Sequence, residues 1–256
     1  MKIVVAVKQV PARDAVLRVA GDGRWIQQAD LAYEINEPDA YALEAGLQLK
    51  EKHGGEVVAL TVGPAGAAQT VREALAKGAD RGIHIEEADA LAFDSLGVAR
   101  LMAAALAPEK PDLVLTGLQS DDLGYGQTGV LLAELMGLPH ATIIMQVEVR
   151  DGSIRVKREL EQGWFQLVDL PLPALLAIQS GISKLRYATL MGIKRARMKE
   201  VRRLTAAELG VSAAPGAEIA RVYPPARVKQ TEMLSGSAQE VAARLVERLR
   251  FQARVL

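Results

Sequence analysis

The sequence predicts an α/β fold: a doubly wound parallel sheet with an added β-hairpin and an extended C-terminal arm. Continuous β-branched and apolar runs such as KIVVAVK (residues 2–8) are typical of parallel strands that are covered on both faces. Up to about residue 140, these runs alternate with segments of helical periodicity, which implies right-handed crossovers between parallel strands. After Pro139 the period changes to the alternation of a hairpin.

The first helix is predicted over residues 37–53, directly after the first strand and its connection. Tyr41, Leu43 and Leu47 supply the apolar spacing, the first turn is acidic, and the pair Gly54–Gly55 ends the helix. Three further strand and helix pairs follow. Their strands are residues 56–63, 81–87 and 111–117, and their helices are residues 67–80, 94–110 and 126–137. Asp94 or Ser95 is the expected N-cap of the second of these helices.

The segment 141–160 reads as a hairpin around the turn Asp151–Gly152, and residues 171–181 read as another apolar strand. From residue 200 onward, Pro, Gly and Ala are scattered without a sustained period, and an amphipathic helix follows at residues 238–252. We therefore expect a domain at residues 1–204 and an arm at 205–256. The arm lies either on a partner or back on its own domain.

Composition excludes several classes of function. There is no cysteine among the 256 residues, so disulfides, thiolate metal sites and cysteine nucleophiles are absent. The histidines, His53, His84 and His140, are far apart in sequence, which argues against a histidine-built metal site. Basic and acidic residues balance at 31 each, so no global charge attracts nucleic acid or membrane. With no presequence pattern at the start and no apolar run of about 20 residues, we expect a cytoplasmic protein.

The loop GLQSDDLGYGQTG (117–129) is the strongest candidate site. It joins a predicted strand to a predicted helix, at the edge where parallel sheets bind ligands. Its glycines allow close approach to main-chain amides at the helix start, while Gln127 and Thr128 add side-chain donors, so a phosphate or carboxylate is the natural ligand. The alternative is a turn that caps its own helix, with Asp121 or Asp122 accepting the amides.

The ends of the first two strands, residues 6–10 and 61–66, should reach the same cleft. The start of the first helix, residues 35–46, could also reach over it, although Asn36 is there the expected N-cap. The P-loop pattern and the G-x-G-x-x-G fingerprint are both missing, as is any paired nucleophile and base. A bound nucleotide would therefore be held and not hydrolysed.

The stretch 184–203 carries eight basic residues and one acid, Glu200, with Leu190, Met191 and Ile193 among them. A solvated basic surface is the usual explanation. The apolar residues and a glycine between basic flanks also suit an exposed loop whose leucine docks on an acidic protein surface. Nucleic acid is the weaker option, because Tyr187 is the only aromatic residue available for base stacking.

Together these segments resemble the β subunit of electron-transfer flavoproteins. The resemblance runs through VVAVKQVP, NEPDAYALEAGLQLKEK, GPAGAAQTVREALAKGADRGIHI, DLVLTGLQSDDLGYGQTG, KREL and LRYATLMGIKRARMK, and it covers residues 1 to about 205. It implies an adenine-nucleotide-binding sheet with flavodoxin-like layering. It also implies a heterodimer, in which an α subunit carries most of the FAD site and this chain holds a structural AMP.

By motif, the resemblance assigns one set of positions to AMP. They are Ala6, Asn36, Glu37, Pro38, Asp39, Val62, Gln119, Ser120, Asp121, Asp122, Leu123, Gly124, Tyr125, Gly126, Gln127, Thr128, Gly129 and Val130. Electron-bifurcating relatives place a second FAD in this cleft, but DDLGYGQTG looks like the AMP type of loop.

The same resemblance makes Leu190 the anchor that inserts into a dehydrogenase, with Tyr187, Met191 and Ile193 beside it. It puts Glu159 and Arg13 near the flavin. The implied function is an electron carrier without its own catalytic constellation. It would accept electrons from flavin dehydrogenases, such as the acyl-CoA dehydrogenases of fatty acid β-oxidation, and pass them towards a quinone oxidoreductase. A stand-alone nucleotide-binding module of the stress-protein type is the alternative from another class.

Overall fold

The computed structural model describes residues 1–89, 93–212, 215–226 and 231–255, which form two compact units, Met1–Arg221 and Val222–Leu256. In chain order the strands are β1 (Lys2–Ala6), β2 (Gln9–Pro11), β3 (Tyr33–Ile35), β4 (Glu56–Gly63), β5 (Arg81–Glu86), β6 (Leu113–Gly117), β7 (His140–Arg150), β8 (Ser153–Glu159), β9 (Phe165–Pro171), β10 (Ala174–Ile178) and β11 (Val201–Leu204). The helices are α1 (Glu37–His53), α2 (Ala68–Lys77), α3 (Ser95–Leu106), α4 (Thr128–Met136), α5 (Leu190–Ala196) and α6 (Ala238–Phe251).

The first unit is built on a nine-stranded sheet with the order β11-β5-β4-β1-β6-β10-β7-β8-β9. The strands from β11 to β7 are parallel, and β8 and β9 continue the sheet in antiparallel pairing. The chain moves outward from β1 through β4 and β5 and then returns to β6 on the other side of β1. This reversal is a topological switch point, and the predicted doubly wound sheet with its hairpin is confirmed.

Each face of the sheet is covered by its own pair of helices. Ile3 and Val5 point into a buried cluster with α1 and α2, whereas Val4 points into a second cluster with α3 and α4. Because both faces of β1 are buried, its sequence is apolar without interruption. The apolar runs that predicted the strands therefore follow directly from the two-sided core.

Two strands of the sheet were missed by the sequence analysis. β9 follows the predicted hairpin and pairs with β8 from Ser153↔Pro171 to Glu159↔Phe165. β11 runs parallel to β5 at the opposite edge of the sheet. β11 and the chain after it pack on the α3–α4 cluster through Leu204 and Ala206, and the first compact unit runs to Arg221.

Within the basic stretch 184–203, the expectation of an exposed loop (a recognition loop at residues 184–200) is wrong in part, because residues 190–196 form α5. Thr189 caps this helix by accepting a hydrogen bond from the amide of Gly192 at 3.0 Å. A Cβ at Gly192 would lie 2.3 Å from the carbonyl oxygen of Ala76, so the missing side chain lets α5 rest directly on α2. The apolar residues of this segment are therefore displayed from a helix.

The second unit contains α6, as predicted. Ser237 and Glu240 form a capping box: the Ser237 amide donates to the Glu240 carboxylate at 2.9 Å, and the Glu240 amide donates to the Ser237 hydroxyl at 3.4 Å. No residue of α6 is buried. Among the described residues, no helix is long and apolar enough to span a bilayer.

Candidate functional site

The carboxylate of Asp39, in the first turn of α1, joins the ends of the two strands that flank the switch point. Its Oδ2 accepts a hydrogen bond from the amide of Lys8, just beyond β1, at 2.8 Å. Its Oδ1 accepts one from the amide of Gly117, the last residue of β6, at 2.9 Å. These two amides leave the regular sheet ladder, and the carboxylate gives both of them an acceptor.

Close contact at this point requires a glycine at position 117. A Cβ there would lie 2.3 Å from Oδ1 of Asp39 and 2.7 Å from Cβ of Pro38. Pro38 stands in the first turn of α1, where its missing N–H removes no helix hydrogen bond. The start of α1 is thus packed directly on the end of β6.

Asn36 ties the glycine-rich loop to α1, and it does so with the side chain that was expected to cap the helix. Its Nδ2 donates to the carbonyl of Gln119 at 2.9 Å, and its Oδ1 accepts from the amide of Asp121 at 2.9 Å. Asn36 stands at the N-cap position but makes no side-chain capping bond, so that expectation is corrected. With 1% of its surface exposed, it acts as a buried bracket for the loop.

The acidic pair of the loop is also engaged outside α4. The Nζ of Lys8 lies 2.6 Å from Oδ1 of Asp122 and 3.3 Å from the hydroxyl of Ser120. Oδ2 of Asp121 accepts from the amide of Glu37 at 3.3 Å. These contacts draw the loop towards the ends of β1 and α1, and the ion pair of Lys8 was not foreseen from the sequence.

The first turn of α4 therefore keeps free amides. Gln127, at its N-cap position, makes no side-chain capping bond. Within the part of the chain that the structure describes, the amides of residues 125–130 have no hydrogen-bond acceptor. Gly124 and Gly126 have φ of 66° and 62°, the left-handed conformation that turns this backbone into the helix. The alternative in which Asp121 or Asp122 caps the helix is not observed.

One further donor faces this turn. The hydroxyl of Thr116 is buried and has no partner among the described residues. It lies against α4, because a Cβ at Gly129 would come within 2.6 Å of its Oγ1. Its position at the end of β6 is the only sequence signal that could have pointed to it. Main-chain amides without acceptors at a helix start are groups that commonly bind anions in proteins.

The predicted AMP positions share one edge of the sheet. Ala6 and Val62 end β1 and β4 on the face that carries α3 and α4, where both are partly buried. Residues 36–39 begin α1, and residues 119–130 lead from β6 into α4. Because the carboxyl ends of parallel strands meet at one edge, the fold brings these segments together.

The residues predicted to lie near a flavin are in different places. Arg13 forms an ion pair with Glu37 at the start of α1, and its amide donates to Glu34 at 3.0 Å. Glu159 ends β8, opposite Phe165 of the edge strand β9. The structure brings Arg13 to the start of α1 and gives no contact between it and Glu159.

The predicted docking residues lie on and beside α5, and their side chains are exposed. The exposed fractions are 91% for Tyr187, 81% for Leu190, 56% for Met191 and 45% for Ile193. Large apolar side chains that are displayed together in this way are typical of an interaction surface. They belong to a separate site from the loop at α4.

Among the described residues, no group of three or more His, Asp or Glu side chains is placed so that it could hold a metal ion. His84 is fully buried in β5, and its Nε2 lies 3.1 Å from the carbonyl of Gly63. This histidine therefore has a structural contact at the end of β4.

Asp39 gives the site a titratable group. Burial raises the pKa of its carboxyl from 3.8 to about 7, and the hydrogen bonds that it accepts oppose this shift only in part. Because the folded chain holds this proton more tightly than the unfolded chain, the stability linked to Asp39 is fully present below about pH 4. It is lost as the pH rises through about 7.

We expect Asp39→Asn to lower the free energy of unfolding by about 1–3 kcal/mol. Two main-chain amides need acceptors here, and both oxygens of the acid can accept even when it is protonated, whereas the NH2 group of an asparagine side chain cannot. The stability difference between wild type and variant should be larger at pH 5 than at pH 8, as measured by urea unfolding. Asp151→Asn, in the exposed turn between β7 and β8, is the matched control. A difference that grows towards alkaline pH would contradict this assignment.

Comparison with known proteins agrees with this architecture. Residues 24–209 match a family model described as "Electron transfer flavoprotein domain". The chain is 36% identical to the electron transfer flavoprotein subunit beta of Methylophilus methylotrophus, covering 96% of this chain and 97% of the relative. It is 35% identical to the corresponding subunit of Bradyrhizobium diazoefficiens over 100% of both chains. Identity to the human subunit is 34%, over 94% of this chain and 98% of the relative. The chain therefore belongs to the electron transfer flavoprotein family, and the relatives that it matches along their length are β subunits.

Proposed function

We propose that this chain is the β subunit of a heterodimeric electron carrier, in which it binds AMP and helps an α subunit to hold FAD. The observation that carries the AMP site is the first turn of α4, where the amides of residues 125–130 have no acceptor within the described chain. A helix start with free amides favours a phosphate, because the N–H groups and the helix dipole both attract negative charge.

In this proposal the monophosphate accepts hydrogen bonds from the amides of residues 125–130, and the hydroxyl of Thr116 is a further donor. The adenine end lies against Ala6 and Val62, the partly buried apolar residues at the ends of β1 and β4. Asn36 and Asp39 hold the walls of the cleft through their bonds to the loop and to the strand ends. AMP would thus provide acceptors for the free main-chain amides at this edge of the sheet, and its role would be structural.

Electron transfer needs a cofactor brought close to its donor and acceptor, and it needs no acid or base of its own. When bound, FAD supplies the redox chemistry, and most of its site belongs to the α subunit. Glu159 and Arg13 are the residues of this chain proposed to lie near it. That the chain has no catalytic constellation, and that it works in the cytoplasm, stay predictions from the sequence.

The partners proposed for the exposed apolar residues around Leu190 are flavin dehydrogenases, such as acyl-CoA dehydrogenases. A quinone oxidoreductase is the proposed acceptor. The basic side chains Lys194, Arg195 and Arg197 follow Leu190 closely in sequence and are exposed, so an acidic surface would fit this part of the chain. One apolar anchor within a charged rim suits fast and reversible binding to several partners. Residues 205–256 are proposed to lie on the α subunit.

A second candidate is a subunit of the electron-bifurcating branch, with FAD in place of AMP at the same cleft. The free amides of α4 would serve either adenine nucleotide, and the loop DDLGYGQTG favours AMP. A stand-alone module of the stress-protein type is disfavoured by the family to which the chain belongs.

Co-expression with an α-like subunit should yield a yellow 1:1 heterodimer whose flavin is reduced by a dehydrogenase and its substrate. The flavin spectrum and the mass of the complex by light scattering measure this outcome. A stable monomer that binds ATP and never acquires flavin would contradict the proposed function.

Gly126→Val should lower the AMP content of the purified heterodimer, because a β-branched residue disfavours the left-handed backbone and blocks the approach to the amides. Gly152→Val is the matched control. Its φ of 64° is close to the 62° of Gly126, but it lies in the β7–β8 turn, so it imposes similar strain away from the cleft. Equal AMP retention in both variants would count against the site.

Leu190→Ala should slow reduction of the heterodimer by a dehydrogenase about thirtyfold or more, since loss of a central apolar anchor costs about 2 kcal/mol or more of binding. FAD and AMP contents should stay at wild-type levels. Leu135→Ala is the control, because Leu135 is also exposed, at 45%, but lies on α4. Unchanged kcat/KM in Leu190→Ala would remove the docking role.

A further inference from the structure

Arg186 binds two carboxylates of α1 immediately before the exposed apolar residues, which with α5 form the docking segment (residues 187–196). Its Nε and Nη2 lie 2.8 and 3.0 Å from the two carboxylate oxygens of Glu44. Nη1 and Nη2 lie 2.6 and 3.2 Å from the two oxygens of Glu51. One guanidinium thus bridges two carboxylates that stand seven residues apart along α1.

Glu44 is the buried half of this arrangement. Only 4% of its surface is exposed, and Gln48 also donates to it at 2.8 Å. Burial alone would raise the pKa of Glu44, but the hydrogen bonds from Arg186 and Gln48 hold that pKa below its ordinary value. The main-chain amide of Arg186 donates to the same carboxylate at 3.2 Å, so the backbone at the start of the segment is fixed as well.

The other end of the segment is attached to α2. Nη1 of Arg72 donates to the carbonyls of Ala196 and Lys199 at 2.7 and 2.9 Å. Nζ of Lys199 donates to the carbonyl of Leu75 at 3.0 Å. Between the two ends, the backbone of Gly192 lies against Ala76 of α2.

The large apolar side chains of the segment are exposed, although the backbone on both sides of them is held. Tyr187 and Leu190 are 91% and 81% exposed, so their own side-chain packing cannot define their direction. The ion pairs of Arg186, the Thr189 cap of α5 and the contacts on α2 hold the backbone that carries these side chains. A segment that is held before binding loses less conformational entropy when a partner docks.

We propose that Arg186 is a positioning residue of the docking segment: its bridge to Glu44 and Glu51 fixes the orientation in which Leu190 is presented to an electron-donating partner. This inference rests on the docking role proposed above for Leu190. In this proposal Arg186 acts on docking only by positioning Leu190, and it does not contact a cofactor.

Arginine and lysine differ at such a place. A guanidinium presents five N–H donors in a fixed fork, whereas a lysine ammonium cannot serve both carboxylates with the same geometry. Arg186→Lys therefore keeps the charge, and with it the electrostatic attraction of a partner, but loosens the start of the segment. Arg186→Lys should therefore lower the rate at which a dehydrogenase reduces the heterodimer and leave its FAD content unchanged.

The experiment uses the purified heterodimer with its FAD and measures kcat/KM for reduction by a dehydrogenase. The variants are Arg186→Lys, Leu190→Ala and the double variant. We expect Arg186→Lys to lower kcat/KM about fivefold to tenfold, with FAD content and reduction by dithionite unchanged. In the Leu190→Ala background, Arg186→Lys should have no further effect, because a positioning residue has nothing left to position.

Arg155→Lys is the matched control. Arg155 forms a bidentate pair with Asp169 between β8 and β9, at 2.7 and 2.6 Å, on an exposed surface outside the docking segment. This variant should keep the wild-type kcat/KM.

The outcomes separate the two ideas. If Leu190→Ala keeps the wild-type rate, the docking role fails. If Leu190→Ala is slow but Arg186→Lys is not, or if the two effects add fully, the positioning role of Arg186 is overturned. Should Arg186→Lys fail to assemble, Glu51→Gln decides, because Glu51 is exposed and its loss is mild. We expect Glu51→Gln to lower kcat/KM about threefold when Leu190 is present and to have no effect in the Leu190→Ala variant. A wild-type rate for Glu51→Gln alone would overturn the proposal.

Discussion

The structure depends on one carboxylate at the switch point of the sheet. Where β1 and β6 end, the amides of Lys8 and Gly117 leave the ladder, and a buried amide without an acceptor costs about 1–3 kcal/mol. Asp39 accepts from both, at 2.8 and 2.9 Å, and so joins two strands and the start of α1 in one contact. Since Asp39 is 7% exposed, this contact fixes α1 with little freedom.

Through α1, the same contact is linked both to the loop that leads to α4 and to the docking segment. One end of the helix carries Asn36, whose side chain holds the loop that leads to α4. The later turns carry Glu44 and Glu51, which hold Arg186 at the start of the docking segment. A carrier needs a rigid scaffold that binds a nucleotide at one place and a partner at another. In the proposed carrier, helix α1 is the scaffold that connects the nucleotide cleft with the docking segment.

The sequence predicted the parts of the fold that depend on local pattern. Two-sided burial produced the apolar runs of β1 and β4, and glycines ended the helices at Gly54 and Gly78. It missed β9, whose side chains are largely exposed and carry no clear alternation, and α5, which forms because Gly192 can rest on α2. Contacts between distant residues, such as those of Asp39 and Arg186, leave no spacing in the sequence by which to find them.

The central claim is that the free amides at the start of α4 bind the phosphate of an adenine nucleotide within an assembled flavoprotein. The most direct measurement is to denature the purified heterodimer and to identify and quantify the released nucleotides by chromatography and mass spectrometry. The account predicts AMP and FAD in equal amounts, one of each per heterodimer. Release of FAD alone, or of two FAD per heterodimer, would contradict it.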